Sequence, residues 1–145
     1  MENTNFNYNK VMVVDDAKID RFLAEKVISK YAFAEEVISV NSGIGALEYL
    51  TSNTQDENAL PDLIFLDINM PGMNGFEFLT EYKKLPEIVK RKCIIIMLSS
   101  SLHPEDKERA LQSPYVCQFL NKPLTKQKLL EVVLPGGQVS ESTCS

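Results

Sequence analysis

A chain of 145 residues with 44% apolar and 24% charged residues is long enough for one compact domain with a true core, and too apolar for a disordered segment. Its formal net charge of −5 argues against direct contact with DNA or RNA and suits a basic partner surface or a divalent cation. No apolar run is long enough to span a bilayer, and Met1–Asn5 lacks the basic and apolar regions of a signal peptide, so a soluble cytoplasmic protein is expected.

Residues 1–8 read as an N-terminal extension. The first apolar run, Val11 to Val14, stops at Asp15 and Asp16. A helical stretch follows, with Ile19, Phe22, Leu23, Val27, Ile28 and Tyr31 spaced along one face. The second run is Val37 to Val40; after the turn Asn41-Ser42-Gly43, Ile44, Leu47 and Leu50 predict a second helix. Thr51 to Ala59 is polar and reads as a loop. The third run, Leu63 to Leu66, ends at Asp67 and leads into Pro71-Gly72-Met73-Asn74-Gly75, after which Phe76, Leu79 and Tyr82 stand at helical spacing.

The fourth run, Cys93 to Leu98, opens into Ser99-Ser100-Ser101. A charged helix starts near Pro104, because proline is tolerated in the first turn and Glu105 and Asp106 favour the positive end of the helix dipole. The fifth run, Tyr115 to Leu120, ends at Asn121-Lys122-Pro123. The last helix runs from about Thr125 to Leu134, breaks at Pro135-Gly136-Gly137, and leaves residues 135–145 as a disordered polar tail. Continuous apolar strands alternating with helices predict an α/β domain over residues 9–134: a five-stranded, doubly wound parallel sheet with helices on both faces.

The residues that end the runs carry the chemistry. In a parallel sheet the strand ends share one edge, where ligands of open α/β sheets bind. Asp15, Asp16, Asp67, Ser99 and Lys122 therefore converge. Clustered carboxylates repel one another, and a hard cation such as Mg²⁺ relieves this while accepting phosphate oxygens. A lysine supplies a mobile positive charge, a serine hydroxyl a donor, and an aspartate can form an acyl phosphate. Taken singly, each of these residues is more often a helix cap, a turn former or a solvated charge. Cys93, Cys117 and Cys144 include no CxxC pair and signal neither a disulfide framework nor a zinc site; Cys93 and Cys117 read as core fillers. His103, the single histidine, reads as a solvated loop residue.

The ordered set Val-Val-Asp-Asp at 13–16, Leu-Asp-Ile-Asn-Met-Pro-Gly-Met-Asn-Gly at 66–75, Met-Leu-Ser at 97–99 and Lys-Pro at 122–123 resembles the response-regulator receiver family of two-component systems, in particular its stand-alone, chemotaxis-type members. The resemblance implies a flavodoxin-like sheet of order 2-1-3-4-5 and a phosphoryl group accepted on Asp67 from a histidine kinase or histidine phosphotransfer protein. It implies Mg²⁺ held by Asp16 and Asp67, by the backbone carbonyl of Asn69, and by Asp15 mainly through water. Ser99 and Lys122 would hold the phosphoryl group, Phe119 would turn inward with Ser99, and the Lys122-Pro123 peptide would be cis. The output would be an unidentified downstream protein met by the charged fourth helix, with no nucleic acid or membrane contacted directly and no enzymatic turnover beyond the domain's own phosphorylation and dephosphorylation.

Two features depart from the family pattern. Ser99 stands where Thr is common, and Gln112-Ser113-Pro114-Tyr115 replaces the usual Gly-Ala. The rival readings are a phosphorelay intermediate, a phosphorylation-independent adaptor, a haloacid-dehalogenase-type phosphatase and an FMN carrier. The dehalogenase pattern needs an acid where Asn69 stands, and an FMN carrier needs a Ser/Thr/Gly-rich loop after the first strand.

Overall fold

The structure, a computed structural model, describes residues 7–101 and 103–138. Five parallel strands, β1 (Tyr8–Val14), β2 (Ala34–Val40), β3 (Leu63–Asp67), β4 (Ile94–Ser99) and β5 (Val116–Asn121), form one sheet in the order β2-β1-β3-β4-β5. This is the doubly wound order expected. The helices are α1 (Lys18–Lys30), α2 (Gly43–Ser52), α3 (Gly75–Tyr82), α4 (Glu87–Lys92), α5 (Pro104–Leu111) and α6 (Lys126–Gln138). None of the described helices is long and apolar enough to cross a membrane.

Side-chain alternation along the strands divides the interior into two cores. Met12, Val14, Ile64, Leu66, Ile95 and Met97 pack with residues of α2, α3, α4 and α5. Val11, Val13, Leu63, Phe65, Ile96 and Leu98 pack with Ala24 and Ile28 of α1 and Leu129 and Val132 of α6. The central strand β3 is buried throughout, so its unbroken apolar run is what two covered faces require.

The interior corrects several expectations. On α1 only Ala24 and Ile28 are buried, while Ile19, Phe22, Leu23 and Tyr31 are 62, 52, 45 and 39% exposed. The ammonium groups of Lys26 and Lys30 lie 5.5 and 5.4 Å from the ring centres of Phe22 and Tyr31, so these rings are flanked by lysine side chains instead of the core. The short helix α4 has no counterpart in the sequence reading. It buries Val89, starts after Pro86 and ends in Lys90-Arg91-Lys92, a charge order that suits its dipole. The polar segment before β3 contains a 3₁₀ turn at Glu57–Ala59.

Helix α6 continues past Leu134 to Gln138, so Pro135 does not end it. The expected tail at 139–145 lies outside the described residues, as do residues 1–6 of the expected extension; β1 already begins at Tyr8. Cys93 is a free, buried thiol, as expected of a core filler. Cys117 is half-buried and disulfide-bonded, which corrects its reading.

The loop after Asp67 is shaped by two glycines. Gly72 has φ +82°, in the left-handed region. Gly75 opens α3 behind the Asn74–Glu77 capping box, and its N–H donates to the Ile68 carbonyl at 2.8 Å. A Cβ on Gly75 would lie 2.8 Å from the Asp67 carbonyl oxygen and 3.0 Å from Ile68 Cα, both backbone atoms. Gly75→Ala is therefore expected to cost about 1–3 kcal/mol in urea unfolding. An unchanged midpoint would show that the loop yields.

Candidate functional site

Strand register assembles the site. Val14 pairs with Leu66, so Asp15 and Asp67 follow side by side. Asp67 pairs with Leu98, which puts Ser99 one step further, and Ser99 pairs with Asn121, which puts Lys122 one step beyond that. Residues far apart in sequence thus meet at the carboxyl edge of the sheet.

Asp15 and Asp67 are 3 and 4% exposed, Ser99 is fully buried, and Asp16 is exposed. One carboxylate oxygen from each of Asp15, Asp16 and Asp67 lies within 4.8 Å of the others. Lys122 Nζ is 2.6 Å from Asp15 Oδ2 and 3.2 Å from Asp67 Oδ1. Asp15 Oδ1 accepts from the Ala17 N–H at 2.9 Å, so both its oxygens are engaged.

Burial, and then the charge of Asp15, push the Asp67 carboxyl up to about 6; Lys122 and the Asn69 N–H pull the other way and only partly offset this. Burial disfavours the charged form of Lys122, but the hydrogen bonds to Asp15 and Asp20 together with the charges of Asp67 and Asp15 outweigh it, so the lysine is raised. One ammonium thus serves a group of acids that it cannot neutralise. The donor set is all oxygen with a surplus of negative charge, and it fits a hard divalent cation.

The loops carrying these groups are tied down. The Lys122 N–H donates to the Ser99 carbonyl at 2.9 Å, Lys128 Nζ donates to the Asn121 carbonyl at 2.6 Å, and the Lys122-Pro123 peptide is cis, as expected. Ser99 Oγ accepts from the Ser101 N–H at 2.9 Å, and Ser101 Oγ accepts from the His103 N–H at 3.2 Å. Exposed His103 is the residue that precedes α5. Phe119 is half-buried against the core, and Asn69 is exposed two residues beyond Asp67.

Two further residues join the site. Asp20 Oδ2 lies 2.9 Å from Lys122 Nζ, and Arg21 Nη1 donates to the Asp15 carbonyl at 2.8 Å. In sequence, Asp20 reads as an ordinary acid in a first helical turn, and only its spacing from Asp16, four residues, hints at a shared edge.

A sequence model described as the response regulator receiver domain matches residues 11–134. The chain belongs to the response-regulator receiver family. The response regulator Rcp1 of Synechocystis is 31% identical over 124 residues, 85% of this chain and 82% of Rcp1. Protein PilG of Pseudomonas aeruginosa is 30% identical, over 86% of this chain and 84% of PilG. A crystal structure of a two-component response regulator from Cytophaga hutchinsonii superposes with TM-score 0.80 at 36% identity, covering 88% of this chain and 97% of that one. The Mn²⁺-bound form of Rcp1 superposes with TM-score 0.66 at 27% identity, covering 94 and 97%. Receiver domains bind a divalent metal at an acidic pocket, and Asp15, Asp16 and Asp67 form an acidic cluster here at the ends of β1 and β3.

Proposed function

We propose that this receiver accepts a phosphoryl group on Asp67 from a phosphohistidine of a kinase or phosphotransfer protein, with Mg²⁺, and thereby changes a protein-binding face. The observation that carries the reading is the meeting of three carboxylates with Lys122 at one sheet edge. An Asp67 oxygen attacks phosphorus, the P–O bond of an acyl phosphate forms as the P–N bond breaks, and the imidazole leaves neutral, keeping the proton already on its other ring nitrogen. Asp15, Asp16, Asp67 and the Asn69 carbonyl would hold the cation, which supplies charge neutralisation to the carboxylates and the phosphoryl oxygens. The manganese-bound relative supports a divalent ion in this pocket.

Lys122 would pair with a phosphoryl oxygen, a reading supported by its ammonium lying 3.2 Å from Asp67 Oδ1. Ser99 Oγ already accepts from the Ser101 N–H, which leaves its own O–H as a donor for another. A phosphoryl group adds roughly −1.5 to −2 charge. Drawing Ser99 toward it pulls on Ser101 and, through the Ser101–His103 hydrogen bond, on the start of α5. Helix α5 buries only Ala110, so it shifts at small cost, and the half-buried Phe119 would turn further inward with Ser99. Asp67 is the acceptor, so the domain acts only on itself and its output is a partner protein, in the cytoplasm.

Ser99→Ala is expected to keep phosphorylation measurable and to lose most of the amide chemical-shift changes along Ser101–Leu111 when phosphate is added. Unchanged shifts in that variant would separate Ser99 from the switch. For the function itself, acetyl phosphate with Mg²⁺ should add the mass of one phosphoryl group to the native chain. It should add none in excess chelator and none to Asp67→Asn. Equal labelling of native and variant chains would overturn the assignment.

A further inference from the structure

An ammonium group has three donors, and Lys122 Nζ stands before three carboxylates: Asp15 at 2.6 Å, Asp20 at 2.9 Å and Asp67 at 3.2 Å. The first two contacts are the shorter ones. They come from the end of β1 and from the first turn of α1, whereas Lys122 itself follows β5. Leu23, Ala24, Leu98, Pro123 and Leu124 line a small cavity beside this group, and the lysine side chain is 15% exposed. Water is thus partly excluded, and the position of the ammonium is set by its acidic partners.

We propose that Asp20 is a positioning residue for phosphoryl transfer. With Asp15 it holds two of the three Lys122 donors, so that the third faces Asp67 and then an oxygen of the incoming phosphoryl group. The inference rests on Asp67 being the phosphoryl acceptor. Asp20 lies outside the carboxylate cluster proposed for the cation, and its ion pair with the site is made to Lys122. Without Asp20 the flexible four-carbon stem gains freedom, and the ammonium spends less time where the reaction needs it.

Timed intact-mass measurements with acetyl phosphate, at saturating Mg²⁺, compare native protein with Asp20→Ala and Asp20→Asn. Asp20→Ala is expected to slow labelling about tenfold. Asp20→Asn keeps an acceptor oxygen of the same reach and is expected to stay within about twofold of native, with Mg²⁺ affinity by calorimetry shifted by no more than about twofold in either variant. A rate for Asp20→Ala at or above native overturns the proposal. Equal slowing by Asn also overturns it, since charge or helix stability would then be the cause. The Lys122 Nζ resonance in ¹⁵N-lysine spectra gives a readout independent of phosphorylation: ordered in the native chain and in Asp20→Asn, and averaged by motion in Asp20→Ala. If that resonance is as ordered in Asp20→Ala as in native, Asp20 does not hold the lysine. Absence of labelling in the native chain, by contrast, removes the phosphoacceptor reading while the resonance still judges Asp20.

Discussion

Asp67→Asn is expected to be more stable than the native chain at pH 7.5 in the absence of divalent cations, by about 2–3 kcal/mol. The cause is the Asp67 carboxyl, pushed up to about 6 by burial and by the charge of Asp15. The sign follows from proton linkage. In the unfolded chain the group ionises near 3.8, its ordinary value, so between that pH and about 6 the folded state holds a proton that the unfolded state has released. Raising the pH through this window costs the folded state stability, and above it the penalty is complete. Asparagine keeps the shape and an acceptor oxygen without the charge. Urea unfolding in chelator at pH 7.5 and at pH 4 checks this: the advantage of the variant should be present at the first and lost at the second. A variant less stable than native at pH 7.5 would mean that Lys122 outweighs the burial of Asp67.

Lys122→Met is expected to have the opposite effect, a loss of about 3 kcal/mol at neutral pH in chelator, because it leaves Asp15, Asp20 and Asp67 without their shared cation. Methionine preserves the apolar stem, so packing is not the cause. Two controls follow from the same charge argument. Adding Asp67→Asn to Lys122→Met should return much of the loss, since the two residues interact directly. Mg²⁺ should raise the melting temperature of Lys122→Met more than that of the native chain, because a cation replaces the missing charge. Equal melting temperatures of Lys122→Met and native in chelator would show that the ammonium contributes little. Phosphorylation of the same variant should be slowed by tenfold or more, on the order expected for loss of one preorganised charge.

The sheet and its candidate site edge were legible because both follow from where apolar runs stop. Val14 gives way to Asp15, Leu66 to Asp67, Leu98 to Ser99 and Asn121 to Lys122, and parallel register converts those four stops into neighbours. The face of α1 was not legible. Periodicity marks Phe22 and Tyr31 as apolar, but their lysine neighbours and not the core flank their rings. Helix α4, six residues long, is too short to show a period. Pro135 read as a stop, yet α6 runs through it to Gln138. Asp20 was hidden for another reason: its partner Lys122 is a hundred residues away in round numbers, and a first-turn acid has an adequate local explanation in the helix dipole.

The central claim is that Asp67 itself takes the phosphoryl group, and it can be read at the residue. After reaction with acetyl phosphate and Mg²⁺, reduction with borohydride converts an acyl phosphate to an alcohol, and peptide mass mapping locates it. The account predicts the reduced side chain in the peptide that contains Asp67, dependent on Mg²⁺. Modification confined to Asp15, Asp16 or Asp20, or a labelled chain with Asp67 unreduced, would contradict it.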